Sequence, residues 1–346
     1  MRMIWLMGVA VAQVLALGYM AGEREWVLRT GRTIYLRTAP VDPRDPMRGD
    51  YVHLNYQISR VPRALWRGGL FESNPPAQSI RADTRVYALL RPGEDSTGDL
   101  VSVSTERPAE GLFLRGRTDR FWGSRLQVRY GLEAYFVEQG RGLTLERGRD
   151  RDGIQVPMEM KVAVSPGGLA VLQDHRWCAL GIGLNLVTSN APARTGRTPR
   201  QRSVAADVRL LNASSNDLAI VDRPGGHSLA LVPDAQWQEN PWSWPQEDQP
   251  LPAPEAGQVI VLKPGQVHSI HVSFDDPYWA VRGEQARGST NRASVNLVDV
   301  DQDWRARFRF EYRAPERAVA TNLPNATLLW HGRLATRAFQ PAGTVD

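Results

Sequence analysis

The sequence predicts a mainly β protein that begins with one membrane-spanning helix. An uncharged apolar run comes first, most later segments alternate between apolar and polar residues, and turn residues separate those segments. The chain has 346 residues, which is long enough for about two domains. We therefore predict a transmembrane anchor at residues 1–22, a first β domain at 23–173 and an immunoglobulin-like β-sandwich domain at 174–346.

The anchor prediction depends on the segment from Met3 to Ala21, which carries no charge. As a helix it would span about 28 Å, close to the hydrocarbon thickness of a bilayer. A retained anchor is favoured over a cleaved signal peptide or a buried globular helix. Arg2 favours a cytoplasmic N-terminus, although Arg24 and the next arginines weaken the charge asymmetry. We expect a single-pass protein whose soluble part lies outside the cytoplasm.

The charge pattern argues against nucleic-acid binding. Lys and Arg total 42 against 37 Asp and Glu, and the arginines are interleaved with acids rather than clustered. The single cysteine, Cys178, rules out an internal disulfide and a CxxC metal site, and its apolar neighbours predict a buried side chain.

The first soluble region contains an informative segment from Ala39 to Arg60. Its prolines exclude a helix, and a strand begins at Tyr51. Alternation along this strand places Leu54 and Tyr56 on the core side and Tyr51 on a polar face.

The string Gly49-Asp50-Tyr51-x-x-Leu54-x-Tyr56 resembles the signature of the GDYXXLXY protein family. The segments 41–46 and 130–138 also resemble that family, and the resemblance runs from about Glu25 to Leu172. It implies a membrane-anchored bacterial protein that is small and β-rich. Such proteins are often encoded beside polytopic membrane proteins. The resemblance brings no catalytic residues, and the present chain exceeds the usual family length by a whole domain.

Polar residues around this signature are the first candidate binding site. They are Asp42, Arg44, Arg48, Gly49, Asp50 and Tyr51. The acids could serve acid–base catalysis, but the arginines among them favour charge pairing as the commoner arrangement. Acids that converge in a cleft without Arg partners would instead favour a hydrolase or transferase.

The second soluble region shows about nine short alternating segments, beginning with Leu180 to Val187. A long loop from Gln236 to Gln258 holds Trp242 and Trp244 among prolines. Exposed tryptophans could bind a sugar or a partner, and these two are the remaining candidate binding residues. The alternative is a lid folded back over the domain.

No metal site or cofactor is expected. His268 and His271 would point to opposite faces of a strand, and the acidic segment 299–303 lacks the glycine and glutamate of a calcium loop.

Together these observations favour a non-enzymatic protein of the bacterial inner membrane, facing the periplasm. It would act as an interaction or accessory module for an integral membrane protein or another envelope component. The alternatives are a hydrolase or transferase, or a carbohydrate-binding protein, acting on an envelope glycan or peptide.

Overall fold

A computed structural model of the chain shows one long N-terminal helix followed mainly by β-strands. The structure describes residues 2–39, 51–69, 81–122, 125–136, 149–189, 202–234, 240–247, 249–284, 292–300, 305–342 and 344–345. The mainly β class predicted from sequence is therefore confirmed.

The elements follow the chain in this order. Helix α1 covers Arg2–Thr30 and the short helix α2 covers Arg317–Ala320. The strands are β1 (Arg32–Ala39), β2 (Tyr51–His53), β3 (Asn55–Tyr56), β4 (Arg60–Pro62), β5 (Arg85–Pro92), β6 (Gly98–Ser104), β7 (Leu112–Trp122), β8 (Arg125–Arg129), β9 (Ala134–Phe136), β10 (Arg149–Arg151), β11 (Ile154–Val156), β12 (Met158–Val164), β13 (Ala170–Trp177), β14 (Leu180–Ser189), β15 (Arg202–Asn212), β16 (Leu218–Val221), β17 (Leu229–Pro233), β18 (Val259–Leu262), β19 (Val267–Ser273), β20 (Val281–Glu284), β21 (Arg292–Val295), β22 (Phe308–Arg313), β23 (Arg333–Ala335), β24 (Phe339–Gln340) and β25 (Thr344–Val345).

The chain divides into two units. Unit 1 comprises Met1–Phe121, Leu126–Glu146 and Met158–Arg176, and unit 2 comprises Trp122–Arg125, Arg147–Pro157 and Trp177–Asp346. The division after Arg176 lies close to the predicted boundary. The segment 147–157 was predicted to lie in the first domain but belongs to unit 2. Strand β11 pairs with β14 of unit 2, and β10 pairs with β11.

The apolar side chains of helix α1 are exposed over residues 5–26. It has 29 residues, a length of about 43 Å. Within the described chain it is the one helix long and apolar enough to cross a membrane, and none of its apolar window is buried. This supports the predicted N-terminal span. A cleaved signal segment would have the same properties.

Unit 1 contains two larger sheets. Their strand orders are β13-β12-β1-β3 and β4-β8-β7-β5-β6, and β2 pairs separately with β9. Strand β1 runs antiparallel to β12, with Ile34 opposite Val162 and Leu36 opposite Met160. All four side chains are buried, as expected where alternate residues of paired strands face one core.

The first region contains more turns than the sequence predicts. The segment 125–136 forms two strands, β8 and β9. Gly131 separates them with a φ of 77°, a conformation that interrupts a strand and suits glycine. The segment 51–58 likewise divides into β2, β3 and a 3₁₀ turn at Gln57–Ser59.

Unit 2 has two five-stranded sheets. One has the order β10-β11-β14-β15-β19, and the other joins β17, β22, β24 and β25, with β23 also on β22. Both sheets contribute to one apolar cluster, for example through Val208 and Ile270 from the first and Phe308 and Phe310 from the second. Cys178 belongs to this cluster and is buried, as predicted. The immunoglobulin-like arrangement remains a prediction.

Candidate functional site

The two segments of unit 1 that resemble family motifs lie side by side. Strands β2 and β9 pair antiparallel, with Tyr51 opposite Phe136. The pairing continues where the backbone N–H of Leu54 donates to the carbonyl oxygen of Glu133 at 2.7 Å. Segments about 80 residues apart in the chain therefore build one local structure.

Two buried tyrosines, one in each segment, hold the segments together, because each donates a hydrogen bond to a backbone carbonyl of the other segment. The Tyr56 hydroxyl donates to the carbonyl oxygen of Leu132 at 2.8 Å, and the Tyr130 hydroxyl donates to that of Ile58 at 2.9 Å. Burial, reinforced by the nearby Glu133 carboxylate, raises the pKa of both phenols. Both hydroxyls therefore stay protonated and act as hydrogen-bond donors in the core. Leu54 and Tyr56 are fully buried, as the alternation predicts.

A buried charge network lies beside this motif pair. We use that name for Arg37, Asp95, Glu159 and Arg176. The Arg37 guanidinium contacts Glu159 Oε1 at 2.9 Å and Asp95 Oδ2 at 2.8 Å. Arg176 donates from Nε to Glu159 Oε2 at 2.7 Å and from Nη2 to the Asp95 carbonyl oxygen at 2.7 Å. The network joins β1, β12, β13 and the turn between β5 and β6.

The surroundings of the network fix its geometry. Asp95 Oδ1 accepts hydrogen bonds from the backbone N–H and the hydroxyl of Thr97, an arrangement typical of an aspartate turn. The Arg176 guanidinium carbon lies 3.6 Å from the centre of the Tyr35 ring, a cation–π contact. Each charged group of the network is thus paired, which indicates a structural role for it.

A groove of about 200 Å³ opens next to Arg37. Its walls come from the segment that follows the signature strand and from the start of β6. They are Arg37, Gln57, Ile58, Arg60, Pro62, Leu65, Thr97, Gly98, Asp99 and Leu100. Small-molecule pockets usually enclose about 300–1,000 Å³. The groove is smaller than that and would accept a side chain or a short stretch of a partner chain.

The end of helix α1 is fixed directly to unit 1. Val27 is buried, and Gln173 Nε2 donates to the Leu28 carbonyl oxygen at 3.0 Å. At Gly31 an added Cβ would lie 2.5 Å from the carbonyl oxygen of Val27, which is too close for a side chain. Because β1 starts at Arg32, the helix enters the sheet without a linker.

Most of the candidate residues predicted from sequence near the signature lie outside the described residues. These are Asp42, Arg44, Arg48, Gly49 and Asp50. The backbone of Tyr51 lies in β2, where it pairs with Phe136. The predicted role of this set in binding therefore stays a prediction.

The two candidate tryptophans require a correction, because neither is exposed. Trp242 and Trp244 are buried in the core cluster of unit 2. The Trp244 indole N–H donates to the Tyr278 carbonyl oxygen at 2.9 Å, and its ring stacks on Trp279 with centroids 5.5 Å apart. A sugar could not stack on these rings. The alternative prediction, that the loop folds back over the domain as a lid, is correct for these two tryptophans.

The two histidines predicted to face opposite sides of a strand do lie in strand β19. Each contacts its own acid. His268 Nε2 lies 2.7 Å from Asp222 Oδ2, and His271 Nδ1 lies 2.8 Å from Asp207 Oδ1. Among the described residues no group of three or more His, Cys, Asp or Glu is arranged to hold a metal ion.

The charge network and the hydrogen bonds of Tyr56 and Tyr130 are two features that were not predicted from the sequence. The charge network joins four residues that are far apart in the chain, in a sequence where nearly every cation is an arginine, so no local signal marks them. The partnership between Tyr56 and Tyr130 was open to prediction, because both tyrosines lie in segments that resemble the family.

Comparison with known proteins identifies the first part of the chain. A family model described as "GDYXXLXY protein" matches residues 13–174. Neither a curated protein nor a solved structure matches the chain. The matched region contains both tyrosine-bearing segments and the helix junction, and it ends close to the end of unit 1. The chain is therefore similar to the GDYXXLXY protein family over residues 13–174, the region in which its sequence motifs resemble that family.

Proposed function

We propose that this chain is a non-enzymatic accessory protein of the bacterial inner membrane, anchored by α1 and facing the periplasm. In this proposal, unit 1 contacts an integral membrane protein or another envelope component through the groove beside Arg37. Unit 2 extends the surface available to such a partner. The observation that carries the proposal is the linker-free attachment of an exposed apolar helix to the GDYXXLXY region.

The geometry of that attachment supports contact at the membrane surface. The apolar run ends at Ala21, and the nine helical residues that follow add about 13 Å before β1 begins. Arg37 lies about 17 Å further along β1. The groove is therefore held within a few tens of ångströms of the bilayer, a distance that loops of a membrane protein can reach.

The described part of the family motifs supports a binding module rather than an enzyme. Leu54, Tyr56 and Tyr130 pack the core, and the tyrosines hold two segments together. The Tyr130 hydroxyl fixes the backbone of Ile58, one of the residues that line the groove. Near the mouth, Arg60 and Gln57 are exposed, and Pro62 and Leu65 provide apolar surface. The lining also includes one exposed acid, Asp99. A surface that combines apolar, cationic and acidic side chains suits an amphipathic loop of a partner.

Cysteine labelling tests the anchoring and the orientation. The native chain has one cysteine, which is buried, so a cysteine introduced at exposed Glu110 provides a specific label site. We expect Glu110→Cys to react with a membrane-impermeant maleimide in intact spheroplasts and to remain with membranes after alkaline extraction.

Two controls complete the labelling experiment. The native chain should stay unlabelled, and Glu110→Cys lacking residues 2–22 should no longer fractionate with membranes. Labelling that requires cell lysis, or release of the full-length chain by alkaline extraction, would contradict the proposal.

A further inference from the structure

Unit 2 contains a buried arginine that has no counter-ion among the described residues. Arg223 follows β16 and is only 4% exposed. Its Nε and Nη1 atoms are buried and have no hydrogen-bond partner among the described residues. Only its backbone N–H is bonded, to the Ser228 hydroxyl at 2.8 Å.

Such an arginine is costly for the fold. A buried charge without a partner loses its hydration and gains nothing in return, so buried arginines are normally paired with acids. Burial lowers the pKa of the Arg223 guanidinium, and the phenols of Tyr312 and Tyr278 oppose this effect only in part. Burial raises the pKa of both tyrosines, which therefore remain uncharged at neutral pH and leave the arginine uncompensated.

The same residue lines a cavity of about 420 Å³, a size within the range of small-molecule sites. The turn Pro224–Gly226 and the strand segment Ser269–His271 form other parts of its wall. Gly225 and Gly226 have φ angles of 70° and 75°. A Cβ on Gly226 would lie 3.0 Å from Val272 and 3.3 Å from the His271 carbonyl oxygen, so the turn packs closely where only glycine fits.

Two carboxylates lie near this cavity, and both contact histidines. Asp222 contacts His268 at 2.7 Å, and Asp207 contacts His271 at 2.8 Å. Neither acid is hydrogen-bonded to the Arg223 guanidinium. The cavity therefore offers one positive charge that is not paired with either of the two acids. This balance favours a ligand with one negative charge, because a dianion would be repelled by both acids.

From this geometry we infer that the cavity at Arg223 binds a carboxylate group of a small molecule or of a peptide C-terminus. The planar guanidinium can donate two parallel hydrogen bonds to a carboxylate. The ligand would supply the negative charge that unit 2 lacks. This inference concerns unit 2 and is independent of the membrane role proposed for unit 1.

Calorimetric titration of the detergent-solubilised full-length chain tests the inference. The probes are sodium acetate for a free acid, N-acetylglycine for a peptide C-terminus and inorganic phosphate for a dianion, each compared with sodium chloride at equal ionic strength. We expect acetate or N-acetylglycine to bind more tightly than phosphate, and the tighter of the two identifies the source of the carboxylate. Absence of carboxylate binding, or tighter binding of phosphate, would overturn the inference.

Substitution of Arg223 separates binding from folding. Arg223→Met should weaken carboxylate binding at least about ten-fold, the effect of losing a charge-assisted hydrogen bond, and should leave the Tm unchanged or raise it, because an unpaired buried charge is removed. Arg223→Lys should bind with intermediate affinity, and Arg282→Met, at an exposed position of unit 2, should match the native chain. Unchanged binding in Arg223→Met, or its failure to fold, would show that the guanidinium serves the structure instead.

Discussion

Replacement of Arg37 by methionine should destabilise unit 1 by about 3–5 kcal/mol, the usual cost of removing one partner of a buried ion pair. The Glu159 side chain is 2% exposed and Asp95 is 12% exposed, so both carboxylates would lose a counter-ion while remaining shielded from water. Arg176 would still contact Glu159. The Asp95 carboxylate would keep only the hydrogen bonds that it accepts from the backbone N–H and the hydroxyl of Thr97. The free energy of unfolding in urea and hydrogen exchange of β1 and β12 measure the effect.

A matched control for this variant is Arg117→Met. Arg117 also pairs with an aspartate, Asp83, at 2.9 Å, but both side chains are about half exposed. Exposed ion pairs contribute about 0–1 kcal/mol, so this variant should unfold almost like the native chain. Equal losses of unfolding free energy in the two variants would show that burial does not increase the contribution of the network to stability.

Replacement of Trp244 by alanine should destabilise unit 2 by about 3–5 kcal/mol, the range observed when a buried aromatic is removed from a core. The indole is 2% exposed, stacks on Trp279 and donates to the Tyr278 carbonyl oxygen. The variant therefore leaves a cavity and an unsatisfied acceptor. Thermal and urea unfolding followed through the remaining tryptophans measure the loss.

The control for this variant is Val267→Ala on β19, where the side chain is 44% exposed and the expected change is within about 0.5 kcal/mol. The experiment also decides between the two interpretations of the tryptophan loop. If Trp244→Ala unfolded like the native chain but bound cell-wall fragments less well, the ring would act at the surface and the lid interpretation would be wrong.

The sequence predicts well the features that depend on local pattern. Alternation correctly places Leu54 and Tyr56 in the core, because a strand that forms one wall of a core must bury every second residue. The uncharged N-terminal run correctly predicts an exposed apolar helix. The alternating segment 180–187 correctly predicts a strand, which forms most of β14 and pairs with β15.

Features that depend on long-range pairing could not be predicted in the same way. The Asp152-Gly153 turn marks a hairpin, with both residues at positive φ, but no local signal shows that β11 pairs with β14 rather than with unit 1. The prolines around Trp242 indicate a loop, yet they do not show that the indole rings of Trp242 and Trp244 pack in the core of unit 2. Arg223 looks like any other arginine until its burial is known.

We propose that the groove beside Arg37 contacts a partner at the membrane, and this contact can be tested in cells. The most direct measurement is photocrosslinking in intact cells from a photoreactive residue at exposed Gln57 on the groove, compared with one at exposed Glu110. The proposal predicts adducts with an integral membrane or envelope protein from position 57 that are absent from position 110. Identical adducts from both positions, or none from position 57, would contradict it.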